Sequence, residues 1–168
     1  MTQVLVLMGS DSDAAVMQAA VDTMRELGVT SEMTVASAHR SPARVMRLLT
    51  EAPSKGVRLF IVGAGAAAHL GGVVAAHTTL PVIGVPIDSS ALKGLDALLS
   101  TVQMPPGVPV ATVSIGRPGA INAGVLAAQI LALSDPALAE RLVKYKEMLA
   151  AKVEAAAARV EEVDAKKA

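Results

Sequence analysis

A histidine and an arginine stand side by side in Ser37-Ala38-His39-Arg40-Ser41-Pro42, directly after a strand-like run. Histidine is the side chain whose ordinary pKa lies nearest neutrality, and the arginine guanidinium is a permanent cation whose fork fits a carboxylate or a phosphate. Together they point to proton transfer beside a bound anion. Taken alone, the six residues favour a plainer reading as an ordinary turn, with His39 capping it and Arg40 solvated. The surroundings decide between the two.

Two further stretches carry polar groups in apolar neighbourhoods. In Gly9-Ser10-Asp11-Ser12-Asp13, Ser10 and Asp13 have the spacing of a helix-capping pair. The same loop could hold an anion on its exposed amides while Asp13 accepts hydrogen bonds from ligand hydroxyls such as those of a ribose, and both readings can hold at once. Further on, Gly63-x-Gly65-x-x-Ala68 matches a relaxed dinucleotide fingerprint, and Asp88 follows it at about the twenty-residue spacing that motif asks. A dinucleotide-binding oxidoreductase is therefore one alternative. Against it, the fingerprint normally occupies the first β-α turn, which here carries Asp11 and Asp13, whose charges repel a pyrophosphate. A tight glycine turn after a strand, bringing a ligand close to the backbone, accounts for the same residues without NAD. His69 reads equally as a satisfied buried histidine or as a site group. With His77 there are three histidines, but none are paired as His-x-x-x-His, and no metal is expected.

The elements that must position these groups follow from hydrophobic periodicity. Residues 4–8 are a continuous apolar run, the form taken by a strand buried on both faces, and residues 32–36, 58–62, 81–85 and 108–113 read as four further strands. Helical periods fill the intervals: from Val16 to Leu27, ended by Gly28; from Pro42 through Leu49, with proline well placed at a first helical position; a small-residue helix to about Ala76; and residues 92–101 and 120–133. Strands alternating with helices predict an α/β fold, a flavodoxin-like three-layer αβα sandwich on a five-stranded parallel sheet. In such sheets ligands bind at the carboxyl ends of the strands, and the Ser10, His39 and His69 loops all follow strands. Residues 1–168 read as one domain without a linker.

From residue 135 to 163, Leu138, Leu142, Tyr145, Leu149, Val153 and Val160 recur at three- and four-residue steps among charged residues, a long amphipathic C-terminal helix whose stripe needs a surface. A neighbouring subunit is a natural one, so a homo-oligomer is expected. Lys plus Arg and Asp plus Glu number 15 each, and aromatics make up 1%, so neither a basic patch nor a stacking platform for nucleic acid is present. Hydrophobic residues reach 52%, which leaves Ala, Val, Leu, Ile and Met to build the core. The absence of cysteine excludes disulfides and thiolate chemistry. Residues 59–76 are apolar enough to suggest a membrane span, but Gly63, Gly65, Gly71, Gly72 and His69 interrupt them, so no membrane partner is expected. The start of the chain carries no leader-like pattern, and a cytoplasmic location is the expectation.

Taken in order, Gly9-Ser10-x-Ser12-Asp13, Ser37-Ala38-His39-Arg40, Gly63-Ala64-Gly65-x-Ala67-Ala68-His69-Leu70, Leu80-Pro81-Val82-x-Gly84-Val85-Pro86, Val102-Gln103-Met104-Pro105 and Asn122-Ala123 resemble the PurE family, the N5-carboxyaminoimidazole ribonucleotide mutases of purine (IMP) biosynthesis. The resemblance implies an isomerase that moves a carboxylate from N5 to C4 of a small-molecule ribonucleotide without metal, cofactor or ATP. It also implies a homo-octamer with active sites at subunit contacts. By position, Ser10, Asp13 and Arg40 match the nucleotide-binding residues, with Arg40 at the phosphate, and His39 matches the proton-transfer histidine. The same resemblance adds Ser37, Gly65, Ala66 and Leu70 to the substrate-binding set and His69 to the catalytic one, its glycine loop confining carbon dioxide. Three departures stand out: Gly71-Gly72-Val73 replaces a usual Pro-Gly-Met, Ala66 stands where glycine is common, and Ser41 where threonine is. They fall in or near the carboxylate-handling loop and leave room for a second alternative, a PurE-like carboxylase that uses free carbon dioxide on an aminoimidazole or pyridinium nucleotide. His39 followed by Arg40, rather than by lysine, looks more like the mutase branch.

Overall fold

A computed structural model describes residues 1–165 of the chain. Strands β1 (Val4–Met8), β2 (Ser31–Val35), β3 (Leu59–Gly65), β4 (Val82–Ile87) and β5 (Ala111–Thr112) form one sheet in the order β2-β1-β3-β4-β5, every pair parallel. Helices α1 (Ala14–Glu26), α2 (Pro42–Glu51), α3 (Leu70–Ala76), α4 (Leu95–Val102), α5 (Gly116–Ala132) and α6 (Pro136–Ala165) alternate with them. Side chains on a strand alternate between faces. Val4, Val6 and Met8 of β1 therefore pack with Leu59, Ile61, Ile83 and Val85 against Met17, Ala20 and Met24 of α1 and Ala120, Ala123 and Ala127 of α5. The intervening Leu5, Leu7, Phe60, Val62 and Val82 meet Val45, Leu48 and Leu49 of α2, Leu70 and Val74 of α3 and Ala97 of α4. Burial on both faces is why the central strands β1, β3 and β4 read as largely apolar runs, whereas the edge strands β2 and β5 are only partly buried. The result is the flavodoxin-like αβα sandwich expected from the sequence.

Beyond shifts of one or two residues, four boundaries differ from expectation, each for a local reason. β3 continues through Gly63, Ala64 and Gly65 rather than stopping at a glycine turn. These glycines serve packing: a Cβ at Gly63 would lie 2.3 Å from Met17 Sδ, and one at Gly65 would fall 1.8 Å from Ser89 Oγ. The strand-to-helix glycine turn that the dinucleotide fingerprint requires is therefore absent. β5 shrinks to two residues because Pro109 precedes it and proline has no N–H to give the ladder. α4 begins at Leu95 instead of residue 92, since Lys93 (φ +50°) and Gly94 (φ +83°) are left-handed. α5 begins at Gly116, four residues early, and carries Pro118 in its first turn, where a missing N–H costs nothing.

The first half of α6 is held to the sandwich by buried Leu138, by half-buried Leu142 and Tyr145, and by Arg141 Nε donating to the Leu27 carbonyl at 2.7 Å. Beyond it Leu149, Val153 and Val160 are 41%, 66% and 64% exposed, so the later stripe has no cover within the chain. No helix among the described residues is long and apolar enough to cross a membrane.

Ala66 ends β3 in the left-handed region at φ +50°, which crowds its Cβ and costs on the order of 1 kcal/mol. Ala66→Gly should relieve that strain, less the entropy glycine adds to the unfolded chain, and raise Tm by roughly 2 °C. A lower Tm in thermal denaturation would show that no strain is stored there.

Candidate active site

The three chemistry-bearing loops meet because β2 and β3 both pair in parallel register with β1 up to its last residue. Met8 at the end of β1 is paired with Val35 of β2 on one side and Gly63 of β3 on the other. The loops after β2 and β3 therefore reach toward each other across the end of β1. His39 Nε2 lies 2.7 Å from His69 Nδ1, and the rings meet edge to face, 4.8 Å between centroids and 79° between planes. A contact of that length needs one nitrogen to donate and the other to accept.

Local sequence explains why both rings face outward. Ala68 and Leu70 are buried at 1% and 2% exposure, anchoring the short β3-α3 connection on both sides of His69 and leaving its ring exposed. The reading of His69 as a buried, satisfied histidine is thereby corrected. On the other loop, Ser37 Oγ accepts from the Arg40 backbone N–H at 3.1 Å, and Pro42 opens α2. Arg44, which the sequence reading passed over, fastens α2 to the end of β2: its Nε donates to the Val35 carbonyl at 2.8 Å and its Nη2 to Thr34 Oγ1 at 2.9 Å. Arginine in helix register with a strand end was the available signal.

Arg40 Nη2 donates to the Gly9 carbonyl at 3.0 Å, tying the β2 loop to the β1 loop. Among the described residues it has no carboxylate within ion-pair distance, so its charge is available to a ligand anion. Ser10 keeps its capping role, its Oγ accepting from the Ser12 N–H at 3.4 Å. Asp13 does not cap in return. It is 5% exposed and accepts a long 3.4 Å contact from Ser12 Oγ.

Ser10, Asp13, Ser37, His39, Arg40, Gly65, His69 and Leu70 all line one cleft of about 200 Å³. Ala66 lies in the same loop as His69 but does not line it. Ser89, which reaches the cleft from the β4 loop, was not singled out from the sequence, although Pro86-Ile87-Asp88-Ser89-Ser90 follows a strand at the same sheet edge. His77 stands apart at the end of α3, its Nδ1 2.8 Å from the Val73 carbonyl oxygen. The arrangement can hold an anion at Arg40, receive hydroxyls at Asp13 and pass a proton at the histidine pair.

Burial raises the Asp13 carboxyl above its ordinary value of 3.8, and the Asp11 charge adds to this; hydrogen bonds from Ser12 and Ser10 and the Arg40 charge oppose it. The folded chain then binds that proton more tightly than the unfolded one does. The stabilising contribution is complete below the unfolded value and is lost as pH rises through the folded one. Asp13→Asn should accordingly stabilise the fold at pH 7 and lose that gain near pH 3, as read by urea unfolding at both. An equal effect at the two pH values would remove burial as the cause.

Residues 3–152 match the family described as AIR carboxylase. The N5-carboxyaminoimidazole ribonucleotide mutase of Thermotoga maritima is 48% identical over 163 residues, 97% of this chain and 94% of that protein. The mutase of the same name from Bacillus subtilis is 54% identical over 142 residues, 84% of this chain and 88% of that protein. In three dimensions the crystal structure of Treponema denticola PurE superposes with a TM-score of 0.82 at 29% identity, covering 91% of this chain and 94% of that one. With a family match across nearly the whole chain and relatives near half identical, the chain belongs to the AIR carboxylase (PurE) family.

Proposed function

We propose that this chain is an isomerase of purine biosynthesis that converts N5-carboxyaminoimidazole ribonucleotide into 4-carboxy-5-aminoimidazole ribonucleotide. The observation that carries the reading is the 2.7 Å contact between His39 and His69 in a cleft that also presents Arg40 and Asp13. The names borne by the Thermotoga and Bacillus relatives support the same reading.

The reaction breaks the N5–carboxylate bond, leaving carbon dioxide and the ring amine, and makes a new bond from C4 to that carbon. One proton goes to N5 as the carboxylate leaves, and one comes off C4 after attack. A single group that gives the first and takes the second returns to its starting state, the work of a histidine near neutrality. His39 is that group, and His69, hydrogen-bonded to it, sets which of its nitrogens carries hydrogen and can relay the proton. Arg40 receives the phosphate with the guanidinium donors its Gly9 bond leaves over, Ser10 and Ser37 complete the polar end, and Asp13 accepts from the ribose hydroxyls. Gly65 and Leu70 wall the cleft where carbon dioxide must wait.

A second reading is direct carboxylation of the aminoimidazole ribonucleotide by free carbon dioxide, favoured by the family description itself. Ultraviolet assays of the purified protein with the N-carboxylated substrate, and separately with the uncarboxylated one plus bicarbonate, separate the two. Turnover of the first alone is expected. His39→Asn should lower kcat by about 10²–10⁴-fold while the variant still binds the nucleotide, and near-normal turnover would remove the proton shuttle.

We also infer assembly as a homo-oligomer, an octamer by resemblance, with the later part of α6 seated on a neighbouring subunit. Its exposed Leu149, Val153 and Val160, together with Leu95, Leu99 and Val102 along α4 and Leu92 just before it, leave apolar stripes without cover among the described residues of one chain. Sedimentation should show a discrete assembly that shrinks when residues 149–165 are removed; a monomer would overturn it.

A further inference from the structure

Ser89 is the one residue of the β4 loop that lines the cleft, and no role has yet been given to it. Its hydroxyl is placed by a glycine: a Cβ at Gly65 would fall 1.8 Å from Ser89 Oγ, so only a bare Gly65 lets the serine lie against the end of β3. The neighbouring Ser90 is spent on structure, donating to Asp96 Oδ2 at 2.7 Å and accepting from the Leu92 N–H at 3.1 Å. Ser89 has no such partner among the described residues and is exposed to the cleft.

Strand order gives its position relative to the anion site. Arg40 follows β2 and Ser89 follows β4, with β1 and β3 between them. Three strand spacings separate the two loops by about 14 Å, comparable to the length of a nucleoside monophosphate. With the phosphate at Arg40 and the ribose at Asp13, the ring end of the nucleotide comes to rest by Ser89. The migrating carboxylate is the only charged group at that end, and the cleft offers no arginine or lysine there.

We propose that Ser89 is a positioning residue whose hydroxyl donates a hydrogen bond to the substrate's carboxylate, orienting it at the ring. This rests on the nucleotide reading above. A neutral donor suits the chemistry. A guanidinium would hold the carboxylate ion too well for it to depart as neutral carbon dioxide, whereas one hydroxyl fixes direction at smaller cost.

Three probes test it by equilibrium titration on the intact protein: the 4-carboxy nucleotide, the uncarboxylated aminoimidazole ribonucleotide, and ribose 5-phosphate. In Ser89→Ala, affinity for the carboxylated nucleotide should fall roughly tenfold, while the other two change less than about twofold. The steady-state counterpart is a raised KM with a smaller change in kcat, at unaltered Tm. If all three affinities are unchanged, or all fall together, the carboxylate contact is overturned while the nucleotide reading stands. If the wild-type protein binds none of the three, the nucleotide reading fails and this assignment falls with it.

Discussion

The site depends on one constraint, the register in which β2 and β3 pair in parallel with β1 between them. Val4 to Met8 of β1 pair residue for residue with Ser31 to Val35 on one side and with Leu59 to Gly63 on the other. A slip of one residue in either pairing would turn the buried face of a strand outward and move its loop along the sheet by about 3.3 Å. Two ring nitrogens at 2.7 Å do not survive such a shift. The core and the histidine contact are thus fixed by the same register, and residues such as Leu7 and Ile61, far from any chemistry, hold the site in place.

Around that constraint the loops are fastened by charge-assisted bonds to backbone oxygen. Arg44 grips the last residues of β2, and Arg40 grips the carbonyl of Gly9. Both arginines act before any ligand arrives, and of the two only Arg40 lines the cleft, where a guanidinium with five N–H groups in a planar fork has donors left for a ligand. The opposite charge, Asp13, is kept largely out of water beside it, its carboxyl pushed up by burial. A carboxyl so placed is poorly solvated and gains more from a ligand's hydroxyls than an exposed one would.

Small residues allow the layers to come close enough for this. Gly63 admits Met17 to the face of β3, and Gly65 admits Ser89 at the strand's end. Phe60 is the chain's sole phenylalanine and is fully buried. At Ala66 the chain keeps a Cβ where the backbone is left-handed. Gly71, where the family more often has proline, has ordinary room around it, a Cβ there meeting nothing nearer than Val110 at 3.6 Å. Neither departure touches the histidine contact.

The sequence by itself determined the order of strands and helices, the sandwich class, and the loops that carry the chemistry. Unbroken apolar runs admit few other structures, and Pro42 and Gly28 mark helix ends through their own backbone restrictions. It also placed His39, His69, Arg40 and Asp13 at strand ends. What it could not determine was contact. That β1 lies between β2 and β3, bringing His39 to His69, is a property of strand order, and that Gly63 and Gly65 belong to a strand rather than a turn is decided by Met17 and Ser89 packing on them. Ser89 and Arg44 stayed hidden for the same reason. Each acts through a neighbour distant in sequence, and local periodicity holds no information about which distant residue a side chain will meet.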